Sequence, residues 1–515
     1  MYYFVCWGLF IISLLLIIMF LIHDIFVVFP EIYLLICTSF LLIYGTFLST
    51  INNFGFPVLS INIAWLSLQI IVLSLYLVYF SIPCYFYAFN QLIISDLFTK
   101  NIKLFIIIFS FFLFFFSFSY VTNECINSFE FWILILLAVV GMLLTVQVND
   151  LLSMYITIEL QSLIYYILAS FKRTSEFSTE AGLKYFILGA FSSILLLFGF
   201  SILYSLTGLT NFNDFLNFFS EFYLVADNFL NFGITAGLIL IGSALLFKLT
   251  AAPFHMWAPD VYEGTPYPIT LLFSTLPKFT ILILFLRFFT LLFYNLFQVW
   301  QPLVLICIYL STLVGTFSAL LQNRWKRFLA YSSINHIGFM LVGLTTNSLS
   351  GSFSLLFYTL TYAIMTFSLF WLILVLRSYN YSTFCQIRYI KNLKGLFEIN
   401  PILAFSFSLI LFSMVGIPPL IGFFAKVFIY FSCLQINMYS LPLFLVIISC
   451  ISCFYYIRLI KWMYFVRKPV QSIFYPVEKL NSLCLGFFVF LTIFLSLNLE
   501  FVCLFVTHTT LFLIN

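Results

Sequence analysis

Uncharged apolar runs follow one another along almost the whole chain, broken by short polar stretches. A membrane-crossing helix needs about 20 apolar residues. Read on that scale, the runs predict fifteen helices, at 2–22, 31–50, 58–82, 104–121, 130–148, 150–171, 182–207, 230–257, 268–292, 299–322, 328–346, 352–378, 401–433, 441–465 and 481–505. Two of these runs are interrupted within themselves. Pro253 falls inside 230–257, and Gly416-Ile-Pro418-Pro419-Leu-Ile-Gly422 falls inside 401–433. Proline removes a hydrogen bond and clashes with the preceding turn, so both helices are expected to break there.

Composition sets the solvent. Hydrophobic residues make up 64% of the 515 and charged residues 7%, against roughly 45–50% and 25% in soluble domains. Such a chain cannot cover itself with polar surface, and lipid is its expected surrounding. Counting loops alternately from residue 31 puts Lys172, Arg173, Arg324, Lys326, Arg327, Arg377, Arg388, Lys391, Lys394, Arg458, Lys461, Arg467, Lys468 and Lys479 on one side, fourteen cations against Lys100 and Lys103 on the other. Cytoplasmic or matrix loops carry such an excess. The segment 2–22 has neither a basic n-region nor a small-residue cleavage site, so insertion from the side of synthesis is expected. Phenylalanine, at 72 residues, points to an AT-rich organellar genome.

Several chemistries find no support. The eleven cysteines are scattered, and Cys450 and Cys453 form one CxxC without a second pair, so no metal or cluster ligand set is expected. No phosphate-cradling glycine loop or dinucleotide fingerprint is present. Any redox or nucleotide chemistry belongs on another chain, and nothing suggests nucleic acid.

Sixteen of the 21 lysines and arginines fall in loops or at helix ends; Lys184, Lys248, Lys278, Arg287 and Lys426 remain, joined inside predicted spans by Glu159 and His336. An ionisable group at mid-membrane costs at least about 2.5–3.5 kcal/mol unless paired or wet. Glu159 shares a helical face with Tyr155, Ser162 and Tyr166, which suits either a packing hydrogen bond or a titrating carboxylate. Lys248 stands five residues before Pro253, and Lys426 follows the second break. Interrupted helices with a buried lysine are how inverted-repeat transporters build ion sites, although both lysines could instead snorkel to an interface. Lys278 follows Pro277 with Ser274 one turn back, and His336 has Ser332 and Ser333 at i−4 and i−3. Lys184 has Glu180 at i−4, so a plain helix salt bridge competes with a functional role. Arg287 is expected to snorkel, and Glu31 and Glu130 are expected to cap their helices.

Phe247-Lys248-Leu-Thr-Ala-Ala-Pro-Phe-His-Met-Trp-Ala-Pro-Asp-Val-Tyr-Glu-Gly264-Thr-Pro resembles the signature of the subunit 2 family of respiratory NADH:ubiquinone oxidoreductase (complex I). Ser178-Thr-Glu-Ala-Gly-Leu-Lys184-Tyr-Phe-Ile-Leu-Gly-Ala-Phe, Lys326-Arg-Phe-Leu-Ala-Tyr-Ser-Ser-Ile-Asn-His336 and Phe412-Ser-Met-Val-Gly-Ile-Pro-Pro-Leu-Ile-Gly-Phe-Phe-Ala-Lys426 resemble it too, and the likeness runs from about Pro30 to 505.

The resemblance implies an all-α polytopic membrane protein of fourteen or fifteen transmembrane helices with two broken helices. An N-terminal apolar segment (1–30, the extra helix if there is one) and N-terminal helices (31–129) would precede two inverted five-helix repeats at 130–292 and 299–465. A C-terminal loop and helix (466–515) would follow. Glu159 would be the buried acid, Lys184 its modulating lysine, Lys248 the broken-helix lysine, Lys278 and His336 a central relay, and Lys426 the exit-side lysine. Glu159 and Lys248 are expected to act as a switchable pair in proton translocation. This chain would bind no cofactor; NADH, FMN, iron–sulfur clusters and ubiquinone would sit on other subunits. Its partners would be membrane lipids and the other membrane-arm subunits, neighbouring antiporter-like ones included, in the mitochondrial inner membrane. Two other readings stand beside this one: a subunit of a multi-subunit sodium/proton antiporter of related fold, and a purely structural anchor. The buried lysines argue against the anchor.

Overall fold

The computed structural model describes residues 24–49, 56–81, 85–124, 126–220, 228–380, 383–466 and 477–514. The expected helix at 2–22, with Arg467 and Lys468, lies outside them. The helices are α1 Phe29–Ser49, α2 Phe56–Phe80, α3 Leu97–Asn123, α4 Glu130–Val146, α5 Leu151–Ala169, α6 Glu176–Thr207, α7 Phe212–Ser220, α8 Asn228–Leu249, α9 Trp257–Gly264, α10 Tyr267–Phe285, α11 Phe297–Leu321, α12 Trp325–Thr345, α13 Leu349–Val375, α14 Leu396–Ile399, α15 Pro401–Val415, α16 Ile421–Gln435, α17 Ser440–Tyr464, α18 Lys479–Leu497 and α19 Leu499–Ile514. Two antiparallel hairpins interrupt them, β1 Phe86–Ala88 with β2 Ile93–Ser95 and β3 Arg377–Asn380 with β4 Thr383–Gln386. Twelve of the described helices are long and apolar enough to cross a membrane, and four more apolar helices are shorter. The chain is a polytopic, mostly helical membrane protein. Helix is what lipid demands, because every backbone polar group must then be satisfied within its own segment.

The chain divides into two compact units. The first comprises residues 1–114, 125–164 and 210–215. There α1 packs on α2 and α4. Glu31, expected as a cap, sits in the first turn of α1 but is fully buried and pairs with Lys103 at 2.6 Å. Lys103 is therefore not a loop cation. The apolar run suggested a helix from 104, yet α3 starts at Leu97 because Asp96 and Thr99 cap it reciprocally, Asp96 Oδ1 accepting from Thr99 N at 2.6 Å and Thr99 Oγ1 from Asp96 N at 3.0 Å. Lys100, also carried into the helix, donates to the Ser81 carbonyl at 2.5 Å.

The second unit comprises 115–124, 165–209 and 216–515. Its centre is α10 with its π-helical continuation to Leu292, α12 and α13, whose apolar windows are 94–100% buried, against 22% for the peripheral α18. Serine and threonine inside these helices bond back to their own carbonyls, as Ser274 does to Leu271 at 2.9 Å, which removes the cost of a bare hydroxyl in an apolar core. Asn400 caps α15 through Leu403 N, ahead of Pro401 at the first helical position. Two expected boundaries fail here. The run at 352–378 stops at Val375 and gives way to the β3–β4 hairpin. The run at 481–505 is two helices, because Asn498 leaves helical geometry (φ −112, ψ 61) between α18 and α19.

Both interruptions occur where the prolines lie. The run 230–257 stops at Leu249 and resumes as α9 from Trp257, and the run 401–433 stops at Val415 and resumes as α16 at Ile421.

Candidate functional site

Each helix break leaves carbonyls that need donors, and the site is built around how they find them. In the first, Thr250 takes a left-handed φ of 64°, and the Phe247 carbonyl is met by the indole N–H of Trp257 at 3.1 Å. Trp257 itself stacks on Tyr185 of α6 at 4.5 Å between centroids. Lys248 stands half-buried in the last turn of α8, where the negative end of the helix dipole suits a cation. Farther along, Pro277 denies the Phe273 carbonyl its usual donor, and the Tyr262 hydroxyl takes that place at 3.0 Å.

In the second break, Gly416 has φ +86°, and a Cβ there would come within 3.0 Å of the Lys426 side chain. Both facts demand glycine. The space lets Lys426, on α16, reach back and donate to the Val415 carbonyl at the end of α15 at 2.5 Å. Its ammonium also lies 5.3 Å from the centre of the Phe339 ring.

Between the breaks in sequence stand two buried ionisable groups of the second unit. Lys278, 2% exposed, donates to Ser333 Oγ at 3.0 Å and lies 5.5 Å from the Tyr262 ring centre. His336, also 2% exposed, has both ring nitrogens engaged: Nδ1 with the Tyr358 hydroxyl at 2.8 Å and Nε2 with the Tyr456 hydroxyl at 3.3 Å. Beside it is a small cavity lined by Ser274, Ser332, His336, Tyr362 and Thr366, with space on the order of one water molecule. The second unit thus brings Lys278, His336 and Lys426 to α10, α12 and α16, all packed around α13.

Two candidates remain. Glu159, in the first unit, is half-buried on α5 and accepts from Ser162 Oγ at 3.1 Å, as the shared face predicts. Lys184 is 43% exposed and bonds both Glu180, at 2.7 Å, and Asp260, at 2.9 Å. The local salt bridge foreseen from the i,i+4 spacing therefore forms, and a second carboxylate joins it. Asp260 in turn accepts from Arg327 at 2.7 Å, and Glu263 accepts from Arg324 and forms an ion pair with Arg327 Nε at 2.5 Å. Partial burial would raise the Asp260 pKa, but the bonds from Lys184 and Arg327 hold it below the ordinary carboxylate value.

Sequence reasoning missed Tyr262, Tyr358, Tyr456, Trp257 and Asp260. In a chain with 31 tyrosines among 22% aromatics, a lone phenol in an apolar run carries no distinguishing pattern. Asp260 was legible only within the 247–266 string. Among the described residues no group of three or more His, Cys, Asp and Glu could hold a metal ion.

The family described as NADH:quinone oxidoreductase/Mrp antiporter, TM, matches residues 148–452. NADH-ubiquinone oxidoreductase chain 2 of Marchantia polymorpha is 43% identical over 410 residues, 80% of this chain and 82% of that protein. NADH-quinone oxidoreductase subunit N of Paramagnetospirillum magneticum is 38% identical over 401 residues, 78% and 81% respectively. Among solved structures, a chain of respiratory complex I from Thermus thermophilus superposes with a TM-score of 0.73 at 25% identity, covering 92% of this chain and 98% of that one. A chain of the Mrp complex from Dietzia reaches 0.77 at 17% identity, covering 96% and 98%, and so shares the fold.

Proposed function

The chain belongs to the NADH:ubiquinone oxidoreductase chain 2 family of antiporter-like membrane subunits of complex I, and we propose that it carries protons across the mitochondrial inner membrane, coupled to quinone reduction elsewhere in that complex. The observation that carries this reading is the buried row in the second unit. Lys278, His336 and Lys426 are held by neutral oxygens and aromatic faces, and among the described residues none is in an ion pair. Burial without a counter-charge penalises the charged form, so such groups are suited to exchanging protons.

In this reading Glu159 takes up the proton, Lys184 tunes it, Lys248 receives it at the first break, Lys278 and His336 pass it on, and Lys426 releases it. The influence of Glu159 on Lys248 varies through the cycle; one pKa unit is about 1.4 kcal/mol, so modest rearrangement reverses a transfer. The segments 130–292 and 299–465 act as two inverted repeats, with fourteen or fifteen spans in all. NADH, FMN, the iron–sulfur clusters and ubiquinone stay on other subunits, and the partners are neighbouring membrane-arm subunits and lipid. The alternative is a subunit of a multi-subunit sodium/proton antiporter of related fold, and a chain of the Mrp complex shares this fold, but the likeness to chain 2 and subunit N relatives, at 38–43% identity, favours complex I.

The test is proton translocation by the assembled complex in reconstituted vesicles. Arginine keeps the charge but cannot give up its proton, so Lys248→Arg should impair pumping more than assembly, as should Glu159→Ala. Full pumping in both variants would sink the relay.

A further inference from the structure

His336 is bracketed. A neutral imidazole donates from one nitrogen and accepts at the other, so one of the two tyrosine hydroxyls accepts a hydrogen bond from the ring while the other donates to it. All three side chains are fully or nearly buried, and Tyr358 and Tyr456 come from different helices, α13 and α17. The two hydroxyls lead in different directions. Tyr456 also interacts with the Tyr455 and Ser332 hydroxyls, and Ser332 lines the small cavity together with Ser274, one turn before Lys278 on α10. Tyr358 stacks parallel on Phe339, 6.1 Å between centroids, and that same ring lies against the Lys426 ammonium.

We propose that Tyr456 and Tyr358 are proton-carrying residues in their own right, Tyr456 on the route from Lys278 to His336 and Tyr358 on the route from His336 to Lys426. This rests on the relay reading above and adds two hydroxyls that it does not need. The step balances without any co-reactant. A proton leaving the Lys278 ammonium passes through its Ser333 hydroxyl partner and a water to the Tyr456 oxygen. That hydroxyl gives its own proton to Nε2, the ring releases the proton on Nδ1 to Tyr358, and Tyr358 passes its hydroxyl proton to the Lys426 amine. Rotation of the two hydroxyls and a tautomer change reset the chain. In the conformation described, Lys426 donates to Val415 instead of meeting Tyr358, so the last link is open and closes only when that lysine swings from the α15 terminus.

Tyr358→Phe and Tyr456→Phe remove one oxygen each and keep the ring, which isolates the hydroxyl from packing. In vesicles containing the whole complex, normalised to assembled enzyme, each should lower NADH-driven proton translocation several-fold. Tyr464→Phe, whose hydroxyl lies on the same helix and meets Ser408 at 3.5 Å, should leave it near wild type. If His336→Gln and Lys278→Arg block pumping while both Tyr→Phe variants pump normally, the inference is overturned and the relay stands. If all four pump normally, both fail. Should a Phe variant fail to assemble, fluorotyrosine at 358 keeps the shape and the hydrogen bond while acidifying the phenol. A carrier role predicts a pH profile of pumping displaced to lower pH, and an unmoved profile contradicts it.

Discussion

The second unit holds its cations in two different ways. On one side, Glu180, Lys184, Asp260, Arg327, Glu263 and Arg324 form a ladder of alternating charge that ties α6 to α9 and to the start of α12. In the interior, Lys278 and Lys426 have a serine, a carbonyl and aromatic rings instead of carboxylates. The ladder is partly exposed and needs no further compensation. The interior amines are buried, where a permanent charge is expensive. Compensated charges hold geometry; uncompensated ones can exchange protons. Arg324 and Arg327 of the ladder belong to the lysine- and arginine-rich set of loops, whereas Lys184 lies within α6.

The largest effect should come from the interior. Lys426→Met keeps volume and removes the titratable amine, so pumping by the assembled complex should nearly vanish, as read by proton uptake in vesicles; residual pumping above half would break the distinction. The buried pair Glu31–Lys103 in the first unit sharpens it, being both buried and compensated. Lys103→Met strands a buried carboxylate and should cost about 3–5 kcal/mol, most of which the double variant with Glu31→Leu should restore. Melting of the purified complex compares the three proteins, and equal melting of the single and double variants would contradict a coupled pair. Gly416→Ala imposes a left-handed conformation on a Cβ and crowds Lys426, and should cost about 1–2 kcal/mol, visible as lower melting with weakened pumping.

The smallest effect belongs to the ladder. Asp260→Asn should cost at most about 1 kcal/mol, because the pairs are partly exposed and screened. Its sign with pH is fixed. The Asp260 pKa is depressed in the fold, so its contribution is fully present above the ordinary aspartate value of about 3.9 and is lost as pH falls through the lower folded value. Wild type and variant should differ at neutral pH and converge in acid; a difference that grows in acid would contradict the assignment.

How legible this was depended on chemistry. Pro253 and Pro418–Pro419, each beside glycine or other small residues in an apolar run, announced both interruptions, whereas Pro277 and Pro302 sit inside continuous helices. A lysine in such a run is equally conspicuous, and Lys278 and Lys426 were found for that reason. Lys103 was mistaken for a loop residue because an apolar stretch shows where hydrocarbon begins and not where a cap such as Asp96–Thr99 starts the helix. Asn498 split the last expected span for the same reason, a polar residue too mild to end an apolar run on hydropathy alone. Tyr358 and Tyr456 stayed hidden because a phenol inside an aromatic-rich helix is indistinguishable from packing until its hydroxyl is seen against His336.

If the uncompensated interior amines work by losing a proton, Lys278→Arg is the variant that removes that ability alone. The guanidinium preserves charge and hydrogen-bonding capacity but does not deprotonate in proteins. With the complex assembled in sealed vesicles and NADH supplied, the account predicts that proton translocation collapses in this variant while the complex still assembles. Translocation at the wild-type level with arginine at 278 would contradict it.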